Sequence, residues 1–309
     1  MRSAGLIAVA GILLAGACFC RPQPAPSWTA AVQNAAPEAP DARIVVLDIG
    51  SGHLLAARRL DEAARTLAAP GSTLKPLVLY GLVAEGRWDP TRRVGCSRKL
   101  RIGGRSLDCS HPAAAPFNAR EALAWSCNSY FAAVAGTLAS GELRGLLAPS
   151  GLLAQTGLAS GVQGGEATAE LREPKTLDQT KLALLGVEGS RVTPLELAAA
   201  SRWLALQLGL HAGSTAAEVV HRGLQDSASF GMASAASLGG VPIAGKTGTA
   251  SLGPGTGSHG WFVGLAPAEH PTVVLAVFLP AGRGTIAAQV AAEVLERSPL
   301  RTPLGAEPR

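Results

Sequence analysis

The segments of this chain that read as β-strand lie at its two ends, and almost everything between them reads as helix or loop. Arg43 to Asp48 (Arg-Ile-Val-Val-Leu-Asp) is rich in β-branched residues, and Gly50-Ser51-Gly52 turns it into a second apolar stretch, His53 to Ala57. That pattern is a hairpin signal. Far downstream, Ile243–Ser251, Gly260–Ala266 and Thr272–Leu279 are rich in β-branched and aromatic residues and separated by Gly and Pro turns, and Ile286–Arg297 is an amphipathic helix. Helical patterns occupy Ser72–Glu85, Ala119–Ala139 and Pro194–Leu208, and Cys96–Cys109 reads as a small hairpin with Gly103-Gly104 at its tip. Strands, many helices, a strand meander and a closing helix make an α+β fold. The expected architecture is an antiparallel sheet packed by the terminal helices, with an all-α insertion in between.

Composition narrows the class. Of 309 residues 47% are hydrophobic and 16% charged, which excludes intrinsic disorder. The net charge of +5 comes from scattered arginines, with no basic run interleaved with aromatics, so nucleic acid is not an expected partner. Five cysteines are too few for a disulfide-built scaffold, and no CxxC pair marks a zinc site. Neither a metal nor a cofactor is expected. Only five of the 27 basic residues are lysines: Lys75, Lys99, Lys175, Lys181 and Lys246. An amine differs from a guanidinium chiefly in that it can lose its proton.

Residues 1–20 read as an address label. Arg2 precedes an apolar run from Ala4 to Phe19 that Arg21-Pro22 closes. The run is short for a spanning helix, which needs roughly 20 residues. It fits a secretory signal with Ala15-Gly16-Ala17 as the cleavage site. Cys18 offers lipidation as a second reading, although Ala15 stands where such sites usually have Leu, and an uncleaved membrane anchor is the third. Each exports the rest of the chain to the periplasmic or extracytoplasmic face of the cell membrane. Residues 21–40, rich in Pro and Ala, read as an extended linker. The folded domain is expected over 41–300, with 301–309 as a tail.

Three short motifs carry chemistry. In Pro70-Gly71-Ser72-Thr73-Leu74-Lys75-Pro76, a Ser and a Lys three residues apart share one helix face. The helix start favours developing negative charge at the Ser. Such a pair suits a serine nucleophile with a neutral lysine as its base, whereas the bland reading is an N-cap followed by a surface lysine. Ser126-Cys127-Asn128 interrupts an apolar helix with polar groups that need partners if buried; alone it reads as an ordinary turn between helices. Lys246-Thr247-Gly248-Thr249 lines up a cation, hydroxyls and a glycine on a strand. That arrangement suits an edge strand that docks a peptide by its backbone and holds its carboxylate, with Gly248 clearing space for the ligand; alone it is a Gly-containing turn.

Each motif occurs once, and together they form the ordered SxxK, SxN and KTG set of penicillin-recognising enzymes. The chain resembles the transpeptidase domain of penicillin-binding proteins over about residues 41–298. The likeness includes Val45-Val46-Leu47-Asp48 through Ala56, Cys96 to Cys109 with His111, and Glu121-Ala122-Leu123 leading into Ser126-Cys127-Asn128-Ser129-Tyr130-Phe131. It extends to Thr193-Pro194-Leu195-Glu196-Leu197-Ala198 and to His259-Gly260-Trp261-Phe262-Val263-Gly264. Two features depart from the family. A linker stands where a pedestal or glycosyltransferase domain usually precedes this one, and Gly186-Val187-Glu188-Gly189 differs from the usual glycine pattern.

The resemblance implies a peptidoglycan D,D-transpeptidase. Ser72 would attack the D-Ala-D-Ala bond of a stem peptide with Lys75 as base, and Ser126 would pass the proton to the leaving amine. Asn128 would hold the substrate amide and Lys75, while Lys246, Thr247 and Thr249 would receive the carboxylate. The backbone N–H groups of Ser72 and Thr249 would form the oxyanion hole. β-Lactams would acylate Ser72, and a separate glycosyltransferase or scaffold protein is an expected partner. Three alternatives stay open: a D,D-carboxypeptidase, a serine β-lactamase, and a non-catalytic β-lactam or muropeptide sensor or scaffold. Glu166, Glu170 and Glu173 lack the Glu-x-x-Leu-Asn context of class A β-lactamases, and Asn128 argues against class D. Cys96 and Cys109 are candidates for a disulfide across their hairpin. Cys127 reads as a small buried side chain, His259 and Trp261 as packing or substrate contacts, and Lys99, Lys175 and Lys181 as solvated surface.

Overall fold

The computed structural model of the protein describes residues 25–112, 116–253 and 255–301. The expected signal, cleavage and lipidation positions through Cys20, and the tail beyond Arg301, lie outside these residues. No helix among the described residues is long and apolar enough to cross a membrane.

Helix α1 (Trp28–Asn34) precedes strands β1 (Arg43–Asp48) and β2 (Leu54–Arg58), and α2 (Leu60–Arg65) follows. A 3₁₀ turn over Gly71–Leu74 runs directly into α3 (Lys75–Ala84). Next come the hairpin β3 (Arg101–Ile102) and β4 (Arg105–Ser106), then helices α4 (Ala119–Ala124), α5 (Asn128–Ala135) and α6 (Glu142–Leu147). Short strands β5 (Glu170–Leu171) and β6 (Ser190–Arg191) flank α7 (Leu177–Leu184), before the long helices α8 (Pro194–Leu210) and α9 (Thr215–Ser229). Strands β7 (Ala244–Ser251), β8 (Ser258–Ala266) and β9 (Val273–Leu279) lead to α10 (Gly284–Glu296).

The two ends of the chain meet in one sheet. Its order is β2-β1-β9-β8-β7, antiparallel throughout, with β1 against β9 from Arg43↔Phe278 to Asp48↔Val273. Side chains alternate across it. Ile44, Val46, Leu275 and Val277 meet Ala31 and Val32 of α1 and Ala287, Ala291 and Leu295 of α10. Val45, Leu47, Val274, Ala276 and Phe278 face the helical part, including Leu197 and Leu204 of α8. Cover on both faces is why β9 is buried along its whole length and reads as an unbroken apolar run. The expected α+β architecture is the one observed, and it leaves β7, which carries Lys246, at the sheet edge.

Three local expectations change. The supposed extended linker carries α1, capped by Ser27 and tied to the body where Arg58 Nη1 donates to Ala35 O at 2.8 Å. Alanine supports helix as readily as linker, and burying Ala31 and Val32 decides the matter. The single helical pattern at 119–139 is two helices, broken at Trp125–Cys127, so Ser126 and Cys127 sit in the turn between helices that the motif alone suggested and Asn128 opens α5. Helix α9 escaped the sequence reading although Ala216, Val220, Gly223, Leu224 and Ala228 recur on one face and Ser214 caps its start; that stripe is built mainly of small residues.

Phe278 is fully buried and stacks at 4.2 Å between ring centroids on Trp261 from the neighbouring strand. Phe278→Ala is expected to lower folding stability by about 3–5 kcal/mol, read as a shift in the urea unfolding midpoint.

Candidate active site

Ser72 lies in the 3₁₀ turn and Lys75 at its junction with α3, with Pro76 in the first turn, where its missing N–H costs nothing. Three residues per turn align positions 72 and 75 on one side. The turn is seated by close backbone approaches. Gly71 has φ +56°, and a Cβ there would stand 2.8 Å from Thr249 N of β7. Gly186, at φ +69°, comes in from the other side, and its own Cβ would fall 2.1 Å from Gly71 O. Gly71 N donates to Gly186 O at 2.8 Å. Gly186, the first residue of the Gly186–Gly189 stretch that differs from the usual glycine pattern, therefore braces the turn carrying Ser72. Trp261 Nε1 donates to Ala69 O at 2.9 Å, which makes Trp261 a support of that turn and not a substrate contact. His259 likewise is engaged with the protein, Nδ1 lying 2.9 Å from Pro280 O.

The second motif meets the first through one buried amine. Lys75 is inaccessible to solvent, and its Nζ lies 2.9 Å from Ser126 O, 2.7 Å from Asn128 Oδ1 and 3.3 Å from Ser126 Oγ. The ring of Phe131 lies 5.0 Å from Nζ. Burial pulls the Lys75 pKa down to about 7, against a smaller upward pull from Cys127 and Cys109. A neutral amine has two N–H bonds and one lone pair. Ser126 O and Asn128 Oδ1 can only accept, so they take the two protons, and the lone pair is left for a hydroxyl. Ser126 adopts φ +55°, a left-handed conformation for a residue with a side chain, and such strain concentrates at functional turns. Asn128 Nδ2 donates to Leu107 O at 3.0 Å, so the β3–β4 hairpin orients the amide.

The third motif lies on β7. Lys246 is also fully buried; its Nζ donates to Thr247 O at 2.9 Å, and burial, then the charge of Lys75, pushes its pKa well down. Thr249 faces outward, and its Oγ1 accepts from Gly284 N at 3.0 Å. Gly248 has a different role from the one expected. A Cβ there would lie 2.5 Å from Pro70 O, so the space that it clears is filled by the protein's own Pro70–Ser72 loop and not by a ligand.

Ser72, Ser126, Asn128, Thr247 and Thr249 line one cleft of about 640 Å³, with Lys75 and Lys246 directly behind its wall. Sequence reasoning missed the rest of that wall. Gly104 to Asp108 and Ser110 form one side, and Leu185, Val187 and Met232 line it elsewhere. The Gly103-Gly104 tip was the available signal for the hairpin; nothing marked Met232. The other lysines diverge: Lys99 and Lys175 are exposed and Lys181 is half-buried.

The carboxylates are committed elsewhere. Glu166 accepts from Thr156 N, Gly157 N and Ala159 N at 2.6, 3.2 and 2.7 Å. Glu170 pairs with Arg191, and Glu173 accepts from Ser140 Oγ at 2.7 Å. Among the described residues, Asp108 alone brings a carboxylate to the cleft, and it accepts from Leu100 N at 3.1 Å.

The expected Cys96–Cys109 disulfide is not formed; Cys96, Cys109 and Cys127 are free thiols. Cys96 Sγ faces His111 Nε2 at 3.6 Å, while Cys109 Sγ lies 3.9 Å from Cys127 Sγ. Cys127 donating to Cys109 favours the Cys109 thiolate and holds the Cys127 proton in place.

The family described as penicillin binding protein transpeptidase domain matches residues 42–296. A search of curated proteins finds no match to the chain. Among solved structures, the transpeptidase domain of penicillin-binding protein 3 from Burkholderia pseudomallei is similar at a TM-score of 0.72 and 20% identity, over 88% of this chain and 93% of that one. The D,D-transpeptidase domain of a peptidoglycan glycosyltransferase from Eggerthella lenta gives 0.71 and 21%, over 87% and 80%. A peptidoglycan glycosyltransferase from Burkholderia ambifaria gives 0.70 and 21%, over 84% and 87%. At these identities the structural likeness speaks for the fold.

Gly186→Ala combines an unfavourable φ with a clash against the Gly71 carbonyl. It is expected to cost about 1–3 kcal/mol, read by denaturant unfolding, and more than Gly213→Ala, where φ is +87° and a Cβ would meet nothing within 4 Å.

Proposed function

The chain belongs to the penicillin binding protein transpeptidase domain family, and on that premise we propose that it is a peptidoglycan D,D-transpeptidase working through an acyl-enzyme on Ser72. The observation that carries this reading is the buried Lys75 amine, held between Ser126 and Asn128 beside the nucleophile turn with its pKa lowered to about 7. A base poised near neutrality suits removal of a hydroxyl proton. In the proposed cycle Ser72 Oγ attacks the carbonyl of the penultimate D-Ala and its proton passes to Lys75. The developing oxyanion takes hydrogen bonds from the backbone N–H groups of Ser72 and Thr249, a term worth about 3 kcal/mol per donor. Ser126 relays the proton to the departing D-Ala amine. An amine of a neighbouring stem peptide then takes the acyl group and closes the crosslink.

Lys246 and Thr247 receive the terminal carboxylate. In the absence of that carboxylate, burial and Lys75 both disfavour a charged Lys246; an arriving anion reverses the balance and makes the protonated amine the better partner. β-Lactams acylate Ser72 as trapped analogues of the substrate. Glu166, Glu170 and Glu173, engaged away from the cleft, supply no base for rapid deacylation, which favours this reading over a β-lactamase. We further propose export through residues 1–20 to the extracytoplasmic face of the membrane, with a separate glycosyltransferase or scaffold protein as partner.

Incubation of the purified chain with a fluorescent penicillin tests the reading. Label that stays for hours and is lost in Ser72→Ala is the expected result. Rapid loss of label indicates a β-lactamase, and no label at all overturns the acyl-serine mechanism. Turnover of a D-Ala-D-Ala stem peptide with and without an acceptor amine then separates transpeptidase from carboxypeptidase and from a sensor.

Lys75→Arg is expected to slow acylation by about 10²–10⁴-fold, because a guanidinium keeps its proton. With the native lysine, the acylation rate is expected to rise as pH climbs through about 7, where the amine becomes neutral, and a stopped-flow pH profile measures this.

A further inference from the structure

Directly behind the Ser126–Asn128 turn, four soft donors converge from three places in the sequence. The ligating atoms of Cys96, Cys109, His111 and Cys127 all lie within 4.8 Å of one another. Cys127 is wholly buried, and Cys109 and His111 nearly so; Cys96 is half-buried and closes the outer side. We propose that Cys96, Cys109, His111 and Cys127 form a structural zinc site that clamps the β3–β4 hairpin to the turn carrying Ser126 and Asn128.

The distances suit the ion. Zn–S bonds of 2.3 Å and Zn–N bonds near 2.0–2.1 Å in a tetrahedron place two sulfurs about 3.8 Å apart, and a sulfur and a nitrogen about 3.6 Å apart. The observed separations are 3.9 Å for Cys109 Sγ to Cys127 Sγ and 3.6 Å for Cys96 Sγ to His111 Nε2. The imidazole is already oriented for ligation. His111 Nδ1 lies 2.8 Å from Pro112 O, which can only accept, so Nδ1 carries the proton and Nε2 presents its lone pair to the sulfurs. The ring is held edge-on to Phe117, 5.1 Å between centroids. Asn128 N donates to Cys109 Sγ at 3.3 Å, a bond that favours a ligated thiolate. On binding, the three thiols release their protons to solvent and the zinc complex carries one net negative charge. Three sulfurs and one nitrogen fill a tetrahedron, which makes the site closed and structural.

The location gives the ion a purpose. Strands β3 and β4 are two residues each, too short to be stable alone. Yet Leu107 O, next to β4, orients the Asn128 amide, and Ser106 and Asp108 line the cleft. A bond from the hairpin's Cys96, Cys109 and His111 to Cys127 fixes that wall against the second motif. It replaces the disulfide expected between Cys96 and Cys109. It also reverses the expectation of no metal, which rested on the lack of a CxxC pair.

The test is metal content and coordination of the purified full chain, prepared without chelator. One zinc per chain by elemental analysis is expected. After removal of the metal under reducing conditions, cobalt(II) should give the intense visible bands of a tetrahedral ion with thiolate-to-metal charge transfer, and zinc should bleach them. Cys96 is the least buried donor, so Cys96→Ser carries the smallest risk to folding; it should lower the charge-transfer intensity by about a third, one thiolate of three. Zinc well below one per chain, a weak octahedral cobalt spectrum, or a Cys109–Cys127 disulfide in the protein as isolated would overturn the proposal. The cobalt spectrum of the unaltered chain decides even where a variant fails to fold, and neither readout depends on acylation of Ser72.

Discussion

Burial of the Lys75 amine is the constraint around which the rest is arranged. An ammonium in a dry interior is costly unless it is bonded or loses its charge. This one does both in part: Ser126 O and Asn128 Oδ1 accept from it, and its pKa falls to about 7. Those bonds join α3 to the turn between α4 and α5, elements that share no strand and little sequence proximity. The left-handed Ser126 and the broken helix at Trp125–Cys127 follow from the need to aim a carbonyl and a hydroxyl at the same nitrogen. A second buried amine, Lys246, sits close enough for Lys75 to lower its pKa. Two amines held behind one wall, each pushed by burial toward its neutral form, can regain charge when an anion arrives.

The sheet supplies the frame, and glycine supplies the tolerance. Strand β7 lies at the edge, which leaves Thr247 and Thr249 facing the cleft, and its Gly248 lets Pro70 O press against the strand. Gly71 and Gly186 meet backbone to backbone from the other side. The turn carrying Ser72 is thus held by main-chain atoms on two faces and by Trp261 from β8. Main-chain contacts of this kind have little freedom to relax, and such support fixes where the Ser72 side chain stands.

Much of this is legible in the sequence. The β-rich ends, the closing helix and the three motifs were read from periodicity and spacing, and the cleft brings those motifs together. The failures have separate physical causes. The alanine-rich stretch that became α1 has no propensity against helix, and only burial of Ala31 and Val32 chose between the two states. Helix α9 does carry a one-sided apolar stripe, Ala216, Ala217, Val220, Leu224 and Ala228, but small alanines make most of it and sequence reasoning missed it. The clearance at Gly248 was expected for a ligand and serves Pro70, because a sequence shows that room is needed and not for what. Cys96 and Cys109 look like a pair when only the hairpin is considered, and the partner that matters to Cys109 is Cys127, from a different element.

The sequence by itself determined which functional groups are on offer: hydroxyls at Ser72, Ser126, Thr247 and Thr249, an amide at Asn128, and amines at Lys75 and Lys246 in a chain that otherwise prefers arginine. Those properties belong to functional groups and to short spacings along a helix or strand. The tertiary structure alone decided the environment: the lowered pKa of Lys75, the meeting of Gly71 with Gly186 and Thr249, and the gathering of three thiols and an imidazole around one point. Desolvation and long-range approach depend on what the fold brings from elsewhere, and no local pattern of residues records them.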